Sequence, residues 1–162
     1  MKKNNFNNLS IRQLLNSYSD TMNELRQRKI LRSGNNPASD YAEYVIAKKL
    51  KLELTINSNK EYDAIEPKSG IKYQIKSRRI TRYNNSRQLG VIRNLEKAEF
   101  DFLIAVIFNE NFDVIESYKI PRNIIKKYAR FSRHQNGHIL ILRGDILKNK
   151  DIKAINFKKS KN

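Results

Sequence analysis

Cysteine and tryptophan are absent from the 162-residue chain, glycine occurs five times, and acidic side chains are half as numerous as basic ones. Without cysteine there are no disulfides, zinc–thiolate sites or thiol nucleophiles, and the fold must rest on its core. A chain of this length is able to bury one. The few glycines form no phosphate-binding loop, so a nucleotide-hydrolysing motor is not indicated and no small-molecule cofactor is expected. The longest mostly apolar run, Phe100 to Phe108, contains Asp101 and is far too short to span a bilayer. No secretory signal follows Met1, where the residues are polar. The expectation is a soluble cytoplasmic protein with no membrane partner.

Positive charge is what the chain has in excess. Lys and Arg total 33 against 16 Asp and Glu, a formal net charge of +17. Such an imbalance costs stability through self-repulsion, and a polyanionic partner is the usual reason for it. Phosphate contacts exploit it by releasing condensed counterions. Nucleic acid is the expected partner.

Apolar spacing predicts a first helix over 10–29, with Ile11, Leu14, Leu15, Tyr18, Met22 and Leu25 along it. A break at Ser33 to Pro37 precedes a second helix to about Lys51, capped by Ser39 or Asp40. The period then changes to two, predicting strands over 52–56, 62–65 and 71–79, the last two joined by a turn at Pro67 to Gly70. After a polar loop with a short helix near 91–97, Phe100 to Phe108 reads as a central strand buried on both faces. A strand over 114–120, a helix over 121–130 opened by Pro121, and a short strand over 138–142 follow. Residues 148–162 read as a lysine-rich tail, with room for a short helix near Ile152. This is an α/β (α+β) pattern with one mixed sheet flanked by helices. Residues 1–147 read as a single domain that includes the first helix.

The chemistry-bearing stretch is Glu61 to Ile65 followed by Ile71 to Lys76. A hairpin closed symmetrically about Lys68 and Ser69 sets Asp63 opposite Gln74 and Glu61 opposite Lys76. Side chains alternate along a strand, so these four polar groups share one face, while Tyr62, Ala64, Tyr73 and Ile75 share the other. A carboxylate beside an amide oxygen suits a hard cation such as Mg²⁺ or Mn²⁺. A lysine two residues farther along is placed to orient water and offset charge growing on a phosphate. Glu43, on the second helix, is a fourth candidate ligand. Asp40 and Glu43 also have capping-box spacing, so Glu43 carries two readings. His134 and His138 lack a third ligand nearby and read as loop residues.

In order, Glu43, Asp63, Gln74 and Lys76 resemble the acidic helix residue, strand Asp and Gln-x-Lys of the PD-(D/E)xK nuclease superfamily. The glutamine form is similar to Mrr-like restriction endonucleases. The stretches Asn36-Pro37, Asp40-Tyr41-Ala42-Glu43, Tyr62-Asp63-Ala64, Tyr73-Gln74-Ile75-Lys76 and Ser86-Arg87-Gln88-Leu89 also look like an uncharacterised bacterial family assigned to that fold. The resemblance spans roughly residues 31–125, with Tyr62 where the superfamily has Pro and Gln74 where it often has an acid. It implies a restriction-endonuclease-like fold and a Mg²⁺- or Mn²⁺-dependent endonuclease of a restriction system, hydrolysing double-stranded DNA. It further implies metal held by Asp63, Gln74 and Glu43, with Lys76 serving water and phosphate. Cutting both strands calls for two sites, hence a homodimer. A non-catalytic nucleic-acid-binding module on the same fold is the alternative.

The segment after Lys76 carries Arg78, Arg79, Arg82, Asn84, Asn85, Arg87 and Gln88, side chains suited to phosphates and base edges, and is expected to lie along DNA. Lys126 and Arg130, near the helix that Pro121 opens, form a second basic face for backbone contacts.

Overall fold

The computed structural model describes residues 6–56 and 62–157. They fall into two compact units, one through Asn35 and one from Asn36 onward, divided within the Ser33–Pro37 break. None of the described helices is long and apolar enough to cross a membrane.

The first unit is built on α1 (Ile11–Gln27). A capping box starts it: Gln13 N–H donates to Ser10 Oγ, and Ser10 N–H donates to Gln13 Oε1 at 2.8 Å. Met22 is buried, whereas Ile11, Leu14, Leu15 and Tyr18 are exposed.

The second unit opens with α2 (Pro37–Leu50), which begins earlier than a Ser39 or Asp40 cap predicts. Asn36 is the cap; its Oδ1 accepts from Ala38 N–H at 3.1 Å. Pro37 takes the first helical position, where a missing N–H leaves nothing unsatisfied. Asp40 is therefore an internal, buried residue, and the Asp40–Glu43 capping box does not form.

Next come β1 (Glu53–Leu54), β2 (Ala64–Ile65), β3 (Lys72–Arg79), β4 (Phe102–Phe108), β5 (Val114–Pro121) and α3 (Arg122–Tyr128), with a single 3₁₀ turn at Leu95–Lys97 where the short helix is expected. A small hairpin of β6 (Arg130–Ser132) and β7 (Gly137–Ile139), a 3₁₀ helix at Gly144–Lys148 and β8 (Lys153–Ala154) finish the described chain. The main sheet runs β1-β2-β3-β4-β5-β8; β3 and β4 are parallel and the other neighbours antiparallel. This is the mixed α/β class that the pattern of periods implies.

Two differences from expectation have local causes. Helix α3 stops at Tyr128 because Arg130 to Ser132 pairs with Gly137 to Ile139. Gly137 is needed there, since a Cβ would come within 2.4 Å of Val91 Cγ1. The lysine-rich tail is not a tail up to Phe157. Its strand β8 pairs with Tyr118 and Lys119, and Ile155 and Phe157 pack on the core, so its spaced apolar residues outweigh its lysines.

Strand β4 divides the core in two. Ile104, Val106 and Phe108 join Tyr73, Ile75, Ala42 and Ile46 under α2. Leu103, Ala105 and Ile107 join Leu89, Ile92, Leu95, Ile124, Ile125 and Leu140 on the other face. Every residue from Leu103 to Phe108 is buried, which explains why this strand reads as a continuous apolar run.

Candidate active site

The turn from Pro67 to Gly70 fixes the site's register. Gly70 takes φ +71°, and Gly70 N–H closes the turn on Glu66 O at 2.8 Å. Ala64 then pairs with Tyr73 and Ile65 with Lys72. The register expected of the symmetric hairpin holds through Ala64 and breaks at Asp63, which bends and donates its N–H to Tyr73 O at 2.8 Å, so that Tyr62 packs with the other core cluster rather than beside Ala64, Tyr73 and Ile75. Glu61, expected opposite Lys76, lies outside the described residues.

Asp63 stands at the bend before β2, where its carbonyl accepts from Thr55 N–H at 3.0 Å and its side chain adds bonds that the backbone does not make. Asp63 Oδ2 accepts the Ile75 N–H at 2.7 Å and also a hydrogen bond from Gln74 Nε2. A carboxylate filling an open place in the ladder is held in one orientation. Gln74 is buried, at 8% exposure, so its amide is fixed as well. Among the described residues, Asp63 Oδ1 and Gln74 Oε1 carry no hydrogen bond.

Lys76 stands two residues beyond Gln74 on the same face, as strand alternation demands. Its aliphatic stem passes beneath Gly90, with Cδ 3.5 Å from where a Cβ would stand, an ordinary van der Waals distance. The ammonium makes no hydrogen bond or ion pair among the described residues. Gln74 and Lys76 thus share one face of β3, and Asp63 is tied to that strand at Gln74 and Ile75.

Glu43 is not placed with them by the sheet. It lies half-buried on α2, which covers the face of Tyr73 and Ile75, whereas Gln74 and Lys76 alternate to the other face. Among the described residues no three His, Asp or Glu side chains converge as a metal cluster. Two hard oxygens, Asp63 Oδ1 and Gln74 Oε1, nonetheless fit Mg²⁺, which keeps several waters and takes one or two protein ligands.

The segment after Lys76 splits into clamps and a projecting tip. Arg78 Nε donates to Ser86 O at 3.1 Å, and Arg79 donates to Glu110 O with its guanidinium 4.2 Å from the Phe112 ring centre. Arg87 grips Glu116 with both terminal nitrogens, at 2.9 and 2.5 Å, while its Nε donates to Leu142 O. Tyr118 OH donates to the same Glu116 carboxylate at 2.8 Å. Arg87 is therefore committed to holding the loop on β5, and Gln88 is half-buried in a bridge to Ile141. Arg82, Tyr83, Asn84 and Asn85 remain exposed on a turn closed between Thr81 and Asn84, with Arg82 stacked 4.9 Å from the Tyr83 ring centre. Arg130 is exposed on β6, and Lys126 pairs with Glu96 at 2.6 Å. His134 is exposed in the hairpin turn, while His138 lies on β7 edge-on to Phe131.

Sequence reasoning missed the Arg87–Glu116 clamp, because no local pattern links residues 29 positions apart. It also missed that Gly90 returns the tip-bearing loop past Lys76.

The clamp responds to acid. Its hydrogen bonds from Arg87 hold the Glu116 carboxyl below its ordinary value, against the upward pull of partial burial. A carboxyl depressed on folding contributes stability above its unfolded value, about 4.3, and the contribution is lost as pH falls through the lower folded value. Denaturant midpoints measured from about pH 6 down to about pH 3 should fall more steeply for the native chain than for Glu116→Gln. Equal slopes would mean the pair has no net role in stability. No protein-family model and no curated protein matches this chain.

Proposed function

We propose that the chain is a metal-dependent endonuclease of double-stranded DNA, with Asp63, Gln74 and Lys76 as its reactive centre. One observation carries the reading: Asp63 Oδ2 is tied to the Ile75 N–H and Gln74 Nε2, which leaves Asp63 Oδ1 and Gln74 Oε1 open, with a lysine that has no protein partner among the described residues two positions along the Gln74 face of β3. Those two oxygens would hold Mg²⁺ or Mn²⁺. The bound ion supplies Lewis-acid polarisation of a phosphate and a more acidic water.

The side chains do the rest. Lys76 donates to a phosphate oxygen and offsets the charge that grows there as the phosphorus–oxygen bond forms. The hydrogen bonds of Asp63 keep its carboxylate pointed before DNA arrives, which lowers the ordering cost of the reaction. Arg82, Asn84 and Asn85 meet the duplex at the exposed tip, with Tyr83 beside them. Arg130 adds a backbone contact, supported by the net charge of +17. A homodimer brings two such centres to the two strands.

One specific observation favours the non-catalytic binding module instead: the described residues bring together no cluster of three acidic or histidine side chains. Calorimetry with Mg²⁺ and Mn²⁺, without DNA, separates the two. The nuclease reading expects saturable binding that is lost in Asp63→Ala. Binding that is absent, or unaltered in that variant, leaves only the module. Incubation of plasmid with the protein and Mg²⁺ then tests cleavage directly.

A further inference from the structure

Helix α1 leaves an apolar stripe uncovered. Ile11 is 80% exposed, Leu15 62%, Tyr18 60% and Leu14 39%. At about 100° per residue these four positions fall within roughly a third of the helix circumference. Singly exposed apolar residues are ordinary, but a contiguous stripe on one helix marks a contact surface.

We propose that this stripe pairs with the α1 of a second copy of the chain, antiparallel, about a two-fold axis between Leu14 and Leu15. The spacing 11, 14, 15, 18 reads the same from either end. An antiparallel copy therefore sets Ile11 against Tyr18 and Leu14 against Leu15, while Met22 and Leu25, farther along the same face, are buried and half-buried within the chain. Electrostatics permit the same occupant here more than elsewhere on the chain. The chain carries +17 overall, so most approaches between two copies bring like charges together. Residues 11–22 hold one basic and one acidic side chain, Arg12 and Asp20, and are neutral in sum. A polyanion gains nothing on such a surface, whereas a second copy meets no repulsion there. Serine, asparagine, glutamine and threonine around the stripe supply the polar rim of a small interface. The inference rests on α1 alone and is independent of the nuclease reading.

The absence of cysteine makes the test direct. Sedimentation across a concentration series should show the native chain passing from monomer to dimer, and Leu15→Glu should remain monomeric with an unchanged helical circular dichroism signal. Leu14→Cys alone should crosslink on oxidation, because disulfide formation needs Cα atoms within about 7 Å. Ile11→Cys alone should not, but a mixture of Ile11→Cys and Tyr18→Cys proteins should yield the mixed dimer. Crosslinking of Ile11→Cys alone would replace the antiparallel arrangement with a parallel one. A native chain that stays monomeric, or a Leu15→Glu variant that still dimerises, overturns the proposal. None of these measurements uses DNA or metal, so loss of cleavage activity does not bear on them.

Discussion

Lys76→Ala is expected to reduce plasmid cleavage by about 10²–10³-fold or more, the usual cost of removing one donor that stabilises developing charge. Duplex binding should hardly change. Lys76 is one of 33 basic residues, and losing a single phosphate contact lowers the salt slope of binding by about one. No fold penalty should confuse the result, since the ammonium has no hydrogen bond among the described residues and Gly90 leaves room over the shortened stem. Lys76→Arg is the informative companion. A guanidinium keeps the charge but is planar and bulkier beneath Gly90, so it should recover only part of the rate. Gel assays at saturating DNA, beside fluorescence anisotropy over a salt series, separate the chemical step from binding. Cleavage by Lys76→Ala at the native rate would remove Lys76 from the site.

The fold could be read from the sequence wherever one local rule decided the outcome. The Pro67–Gly70 turn and alternation on either side make the register legible through Ala64, but not the bend at Asp63, where a side-chain hydrogen bond rather than strand pairing joins Asp63 to Gln74. The two-sided apolar run of β4 announced a buried central strand. Where two rules competed, the sequence was ambiguous. Asn36, Ser39 and Asp40 are all good caps, and Pro37 decided among them. Lysines spaced along residues 148–157 hid an apolar period that tertiary packing used to add β8. The roles of the arginines after Lys76 were out of reach, because Arg87 is claimed by Glu116 from β5 and Arg79 by the Glu110 carbonyl. Arginine that reads as a nucleic-acid contact in a linear segment is as well suited to clamping a loop. The distinction lies in long-range geometry. Glu43 illustrates the opposite limit: residue type and chain order matched the resemblance, yet α2 covers the other face of β3.

The second large effect is expected at Asp63, and a swap of carboxylate and amide tests whether its role is structural, chemical or both. Asp63→Asn keeps one oxygen, which serves both the Ile75 N–H and Gln74 Nε2, and puts its amide nitrogen where Asp63 Oδ1 stands open. Both hydrogen bonds remain but lose the help of the carboxylate's charge, so the variant should lose about 1–2 kcal/mol of stability. It should also lose metal binding and cleavage, because no carboxylate remains in the pair. Gln74→Glu does the reverse. Two carboxylates now face each other at a buried position, so the metal-free protein is destabilised and one carboxyl is pushed to higher pKa. Divalent metal relieves that repulsion, and the denaturation midpoint of Gln74→Glu should rise more with added Mg²⁺ than that of the native chain. The double variant Asp63→Asn/Gln74→Glu restores one carboxylate against one amide. Its loss of stability should therefore be smaller than the sum of the two single losses, a coupling that a double-mutant cycle measures. If the swap recovers stability and metal binding together, the pair is the ligand set. If it recovers stability alone, Asp63 serves the β2–β3 junction and the nuclease reading fails.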